Sequence, residues 1–117
     1  MKAVIRPRAH DDILRQFRWY LVEQDAPDVV FRFVEAVEAS VEQLLRMPGM
    51  GARRESRNPA LKGLRLWPVK EFDEFLIFYV VAKDTVRVVR ILHGKRDIER
   101  ILKKEFTSGL NDSPRRN

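Results

Sequence analysis

The chain has 117 residues, 44% of them hydrophobic and 34% charged, and a formal net charge of +6; that is enough for one domain with a core, and basic enough to suit nucleic acid, an acidic protein partner or plain solubility. The absence of cysteine and the wide separation of the only two histidines, His10 and His93, exclude a disulfide framework and a thiolate zinc site, so no metal or cofactor is expected. The first residues lack the apolar segment of a signal peptide and no apolar run is long enough to span a bilayer, which reads as a cytoplasmic protein.

Ala3-Val4-Ile5 is a short first strand, closed by Pro7, which cannot donate to a ladder. From Arg8 the period changes: Ala9, Ile13, Phe17, Tyr20 and Leu21 recur at helical spacing and fall on one face. Asp11 and Asp12 are expected in the first turn, where the helix dipole favours negative charge. Trp19 lies off the stripe, as an aromatic at the helix margin. Asp25-Ala26-Pro27 breaks the pattern, and Val30, Val34, Val37, Val41 and Leu44 then define a second core stripe. Two such helices joined by a tight turn make a helical hairpin.

Met47-Pro48-Gly49-Met50-Gly51 stops the second helix and opens a loop to about residue 61, made basic by Arg53, Arg54, Arg57 and Lys62. Three strands follow, at 64–69, 75–81 and 86–93, separated by the short polar breaks Glu71-Phe72-Asp73-Glu74 and Lys83-Asp84. The continuous β-branched and aromatic run from Phe75 to Val81 marks a middle strand buried on both faces, with Ile77 and Tyr79 on one and Leu76, Phe78 and Val80 on the other. Residues 97–106 read as a closing helix with Ile98, Ile101 and Leu102 apolar, and 107–117 as a disordered polar tail. The sum is a single α+β domain over residues 1–106, ordered β-α-α-β-β-β-α, with the helical hairpin packed on a mainly antiparallel sheet. The place of the first strand in the sheet stays open.

No phosphate loop, nucleophile elbow or metal cluster is present. The convergent set is Arg65, Arg90, His93, Lys95, Arg96 and Asp97. Strand alternation puts Arg90 on the opposite face from His93. Gly94 lets the chain leave the strand, and Asp97 falls where a carboxylate caps a helix start. His-Gly-Lys-Arg-Asp is therefore either a strand exit leading into a helix, with Arg96 paired to a carboxylate, or a recognition edge. In a ribonuclease His93 would serve as general base, with Arg65, Lys95 or Arg96 on the phosphate.

Leu61-Lys62-Gly63-Leu64-Arg65, Phe75-Leu76-Ile77-Phe78-Tyr79 and Arg90-Ile91-Leu92-His93-Gly94-Lys95-Arg96-Asp97-Ile98, in that order after Pro48-Gly49-Met50-Gly51, resemble the ParE toxins of the RelE/ParE superfamily. The resemblance implies a toxin of a bacterial type II toxin–antitoxin system. RelE-type members are metal-independent, ribosome-dependent mRNA endonucleases, and Arg96 matches one of their catalytic arginines. Their second arginine falls on Leu76, their essential tyrosine on Leu102, and their paired lysines near Leu66 to Val69, where this chain has none. These departures fit the ParE branch, which poisons DNA gyrase by binding and is neutralised by a ParD-like antitoxin with an acidic, disordered segment. Arg53, Arg54, Arg57, Lys62, Arg65, His93, Lys95 and Arg96 are the expected antitoxin- or target-binding residues, in a hetero-oligomer with the antitoxin. Two alternatives stand beside this: an interferase running on Arg96, His93 and Arg65, and an inactive member that only binds antitoxin.

Overall fold

The computed structural model describes residues 1–111, with side chains for residues 1–104. A five-stranded sheet carries three helices. Its strands are β1 (Lys2–Ile5), β2 (Ala52–Arg53), β3 (Arg65–Val69), β4 (Phe72–Ala82) and β5 (Thr85–His93), in the spatial order β1-β5-β4-β3-β2. The expected meander β3-β4-β5 is antiparallel throughout, with β4 at its centre. β1, left unplaced by sequence, runs parallel to β5 from Lys2 opposite Thr85 to Ile5 opposite Val88. β2 is an extra edge strand inside the expected loop, where Ala52 and Arg53 pair with Leu66 and Arg65.

The helices are α1 (Pro7–Arg18), α2 (Pro27–Arg46) and α3 (Ile98–Asn111). Pro7 sits at the start of α1, where its missing N–H is no loss. This start leaves Asp12 beyond the first turn, contrary to expectation, and Asp12 is buried. A π-helical stretch, Trp19–Glu23, ends the first arm of the hairpin. The wider π turn shifts the stripe: Tyr20 stays inward, against Phe33 and Phe72, while Leu21, expected in the core, is 42% exposed. Asp25, at φ 48°, then reverses the chain.

Both faces of β4 are covered, as the apolar run predicts. On the hairpin side, Phe75, Ile77 and Tyr79 meet Ala9, Phe33, Val37, Val41 and Leu44, together with Val86, Val88 and Ile91 of β5. On the other side Phe78, with Leu76 and Val80, meets Leu61, Leu64, Val89, Leu92 and Leu102. Ser40, buried in α2, donates from Oγ to the Ala36 carbonyl at 2.7 Å and accepts the Lys70 N–H at 2.8 Å, tying α2 to the β3–β4 turn. That turn is Lys70-Glu71 alone. Phe72–Glu74, expected in the break, belong to β4, and the register shifts beside Pro68, which has no N–H for the ladder. α3 continues past Phe106 to Asn111, and the rest of the expected tail, residues 112–117, lies outside the described residues. Among the described residues no helix is long and apolar enough to cross a membrane.

Candidate recognition surfaces

Three local devices position the basic residues. The first is the exit from β5. The Lys95 N–H donates to His93 Nδ1 at 3.0 Å and the Arg96 N–H to the His93 carbonyl at 3.0 Å, closing a tight turn over Gly94. The His93 ring lies edge-on to Phe75, with centroids 5.1 Å apart. Asp97 Oδ1 then accepts the Arg100 N–H at 3.2 Å, capping α3 as its place in the sequence predicts. The strand exit and the helix start expected of His-Gly-Lys-Arg-Asp are both present, and the Lys95 and Arg96 side chains are exposed.

A second device closes the open edge of β5. β1 stops at Val88, so the Ile91 N–H has no strand partner. Asp12 of α1 supplies one: its Oδ2 accepts from Ile91 N at 2.8 Å and from Arg90 Nε at 2.8 Å, while Oδ1 accepts from Arg90 Nη2 at 2.8 Å. A β-bulge at Val89, where Phe78 faces Arg90 and Tyr79 faces Val88, breaks the alternation just before Arg90. Arg90 is therefore a buried structural arginine, bidentate to Asp12.

The third device locks the loop after α2. The Tyr79 hydroxyl donates to the Pro48 carbonyl at 2.8 Å and accepts the Gly51 N–H at 3.0 Å, and Arg65 Nη1 donates to the Gly51 carbonyl at 2.7 Å. Burial pushes the Tyr79 phenol above its usual pKa, against the opposing pull of the Gly51 hydrogen bond and the Arg65 charge. A Cβ on Gly51 would collide with the Tyr79 hydroxyl oxygen and lie 2.8 Å from the Leu66 carbonyl, so the position requires glycine.

The predicted basic residues do not form one surface. α3 crosses the sheet between them. On one side of it Arg57 shares a depression of about 730 Å³ with Arg100 and Lys103, and Arg54 pairs with Glu99 at 3.1 Å. On the other side Arg96 shares a depression of about 400 Å³ with Arg8, Arg15, Arg90, Arg100 and Lys104. Arg53, on the edge strand β2, and Lys62, before β3, are exposed, and Lys95 lies in the turn before α3. Arg65 is committed to Gly51, and its strand partner Tyr79 lies four residues along β4 from Phe75, the partner of His93. That is about 13 Å of strand, so Arg65, His93 and Arg96 do not converge on one reacting group. Arg8, Arg15, Arg100 and Lys104 were missed in the sequence because only the parallel β1–β5 pairing brings α1 beside α3; the Arg100–Lys104 spacing of one helical turn was the available signal.

The hairpin carries a third feature, an apolar rim. Leu14 and the 47%-exposed Trp19 line a depression of about 520 Å³ with Asp11, Arg15, Arg18 and Glu23, and Leu21 and Val22 are exposed beyond it.

Comparison with known proteins agrees with this architecture. A solved structure described as a chromosomal ParDE TA system from P. aeruginosa matches with a TM-score of 0.64 at 22% identity, covering 80% of this chain and 95% of that chain. At that identity the likeness is one of fold. No curated protein matches significantly in sequence. The family model described as the ParE toxin of type II toxin–antitoxin system, parDE, matches residues 3–98, which span every strand of the sheet, and the chain belongs to that family.

Proposed function

We propose that this toxin inhibits DNA gyrase by binding and is neutralised by a ParD-like antitoxin whose acidic segment lies across its basic loop while apolar residues seat on the helical hairpin. The observation that carries the first half is the content of the α3 face. Where the superfamily's interferases hold a tyrosine and a second arginine, this chain has Leu102, 2% exposed, and Leu76, both packed in a hydrophobic cluster. A general acid or base there would have to ionise inside hydrocarbon. His93 spends its Nδ1 lone pair on the Lys95 N–H, and its ring, edge-on to Phe75, lines a different depression from Arg96. Arg53, Arg57 and Lys62, exposed between α2 and β3, match an acidic segment in sign, and Leu14, Trp19, Leu21 and Val22 offer apolar surface for a partner helix.

The test is a supercoiling assay with purified toxin, gyrase and relaxed plasmid, run beside primer-extension mapping of transcripts after induction in cells. Inhibited supercoiling with intact mRNA is the expected outcome. Codon-spaced cuts that disappear with Arg96→Ala would replace the gyrase reading with the interferase one.

A further inference from the structure

The depression between α1, the end of β5 and α3 is unlike the rest of the basic surface. Arg8, Arg15, Arg90, Arg96, Arg100 and Lys104 surround about 400 Å³, with Asp97 the one acid and Ile101 the one apolar residue among the described residues of its lining. Asp12 already matches the charge of Arg90, and Asp97 caps α3. The exposed Arg15, Arg96, Arg100 and Lys104 are what an incoming anion would meet. Cations gathered this closely repel one another, and an anion seated among them removes that repulsion.

We infer that this cleft is a phosphate site that takes the sugar–phosphate backbone of duplex DNA, so that the toxin grips the nucleic acid held by its target as well as the target protein. The identity of the duplex rests on the gyrase reading above; the phosphate site rests on the cleft alone. Three features select the ligand. Four of the five arginines project from helices or the turn before α3, and their planar forks suit phosphate oxygens. The cations also form rows rather than a point. Arg100 and Lys104 stand one turn apart on α3, about 6 Å, with Arg96 in the turn before it and Arg15 across the cleft on α1. A lone phosphate meets one end of such rows, whereas a backbone segment runs between them. Finally, among the described residues the lining offers an acidic peptide only Ile101 as an apolar anchor, and peptide recognition draws its affinity from buried anchors. A phosphodiester backbone needs none, because its binding is electrostatic.

The experiment is fluorescence anisotropy of a labelled DNA duplex of about 20 base pairs titrated with the full chain across a series of NaCl concentrations, where each phosphate contact contributes about −0.9 to the slope of log K against log salt. The Arg96→Ala/Arg100→Ala double variant should bind at least about tenfold more weakly at low salt and flatten the slope by about two, and Arg15→Ala, on the opposite wall, by about one. Arg32→Glu, on the exposed side of α2, alters net charge by the same amount as the double variant and should leave the slope unchanged. A melting curve for each variant confirms that it is folded. Equal weakening by Arg32→Glu, or no duplex binding at low salt, would overturn the inference. So would displacement of the duplex by inorganic pyrophosphate or polyglutamate as effectively as by unlabelled duplex, or tighter binding of single-stranded RNA. Supercoiling measured on the same proteins separates the two proposals. Gyrase inhibited without DNA binding sinks only the phosphate cleft, and DNA bound through these arginines with gyrase untouched sinks only the gyrase reading.

Discussion

The two faces of β4 are built differently. The hairpin face is covered by two helices and centred on rings: Phe33 stands edge-on to Phe72 and Phe75 at 5.2 Å, with Tyr20 5.9 Å away. Among its buried polar groups, Ser40 and the Tyr79 hydroxyl each make two hydrogen bonds and Asp12 accepts three. The opposite face is mostly aliphatic and is covered by α3 and the loop before β3. That cover is tied at its rim by the Arg54–Glu99 pair and by Asn58 Nδ2 donating to the Leu102 carbonyl at 3.5 Å. Exposed ion pairs and long hydrogen bonds contribute little. The thick face therefore fixes the fold, and the thin face can place arginines and lysines on both flanks of α3 without burying them.

The largest effect should come from the seam where α1 meets the edge of β5. Asp12→Ala takes its bidentate carboxylate from the buried Arg90 guanidinium and its acceptor from the Ile91 N–H, and should cost about 3–5 kcal/mol. Asp12→Asn keeps an acceptor for Ile91 but not the charge, and should fall between Ala and wild type. Urea unfolding measures both. A loss under about 1 kcal/mol for Ala would mean that water reaches Arg90 and that the seam is not part of the thick face.

Next come the two faces themselves. Ile77→Ala opens a cavity under two helices and should cost about 2–5 kcal/mol. Leu102→Ala removes an equally buried side chain, but α3 can settle into the space, so the loss should lie at the low end of that range. Native-state hydrogen exchange should show α3 opening below the global unfolding free energy and α2 opening only with it. Equal losses together with equal exchange would erase the distinction between the faces.

The same contrast explains what could be read from the chain. β4 was legible because Phe75 to Val81 is apolar at every position, which only a strand buried on both sides requires. Helical period located both arms of the hairpin. Phe33 was missed at the centre of the ring cluster because the counted stripe ran through the valines on either side of it. Leu21 was misplaced because a π turn shifts the phase without any residue type announcing it. β2 has two residues, too few for any period to show. At the candidate sites, the cap at Asp97 and the strand exit at Gly94 are local and were found. The cluster around Arg96 depends on β1 lying beside β5, and Arg54 proved to be an α3 tether through Glu99, neither of which a residue pattern encodes.

A moderate effect tests the lock between the thick face and the loop that leads to the thin one. Tyr79→Phe keeps the ring but strips the Pro48 carbonyl and the Gly51 N–H of their partner, at about 1–3 kcal/mol. The pH dependence has a definite sign. Burial holds the Tyr79 proton above the unfolded value of 10.0, so the unfolded chain releases its proton first as pH rises. The contribution is complete below pH 10.0 and is lost above it. Tyr20 acts in the same direction, through burial and then the Glu74 charge. Denaturation midpoints taken from neutral to strongly alkaline pH should fall less steeply in Tyr79→Phe than in wild type, and identical slopes would show that the phenol is open to solvent.

The smallest effect concerns the antitoxin, and it asks whether the thin face's loop is an interface or merely solvated. Arg54 is unsuited to the test, because reversing it would set a new carboxylate against Glu99 and loosen α3. Arg53 and Arg57 are exposed and flank it. If an acidic segment crosses this loop, encounter is steered by charge, so association of wild type should slow as salt rises toward a Debye length of about 8 Å. Rim charges act mainly on the on-rate, so Arg53→Glu with Arg57→Glu should slow association several-fold at low salt, with little change in dissociation. Dissociation should answer instead to Trp19→Ala, which removes an apolar anchor from the hairpin. Stopped-flow traces at several ionic strengths separate the two cases. Converging association rates at high salt place the loop in the encounter surface, whereas parallel, equally salt-sensitive lines would remove it from the interface and leave the hairpin to bind antitoxin alone.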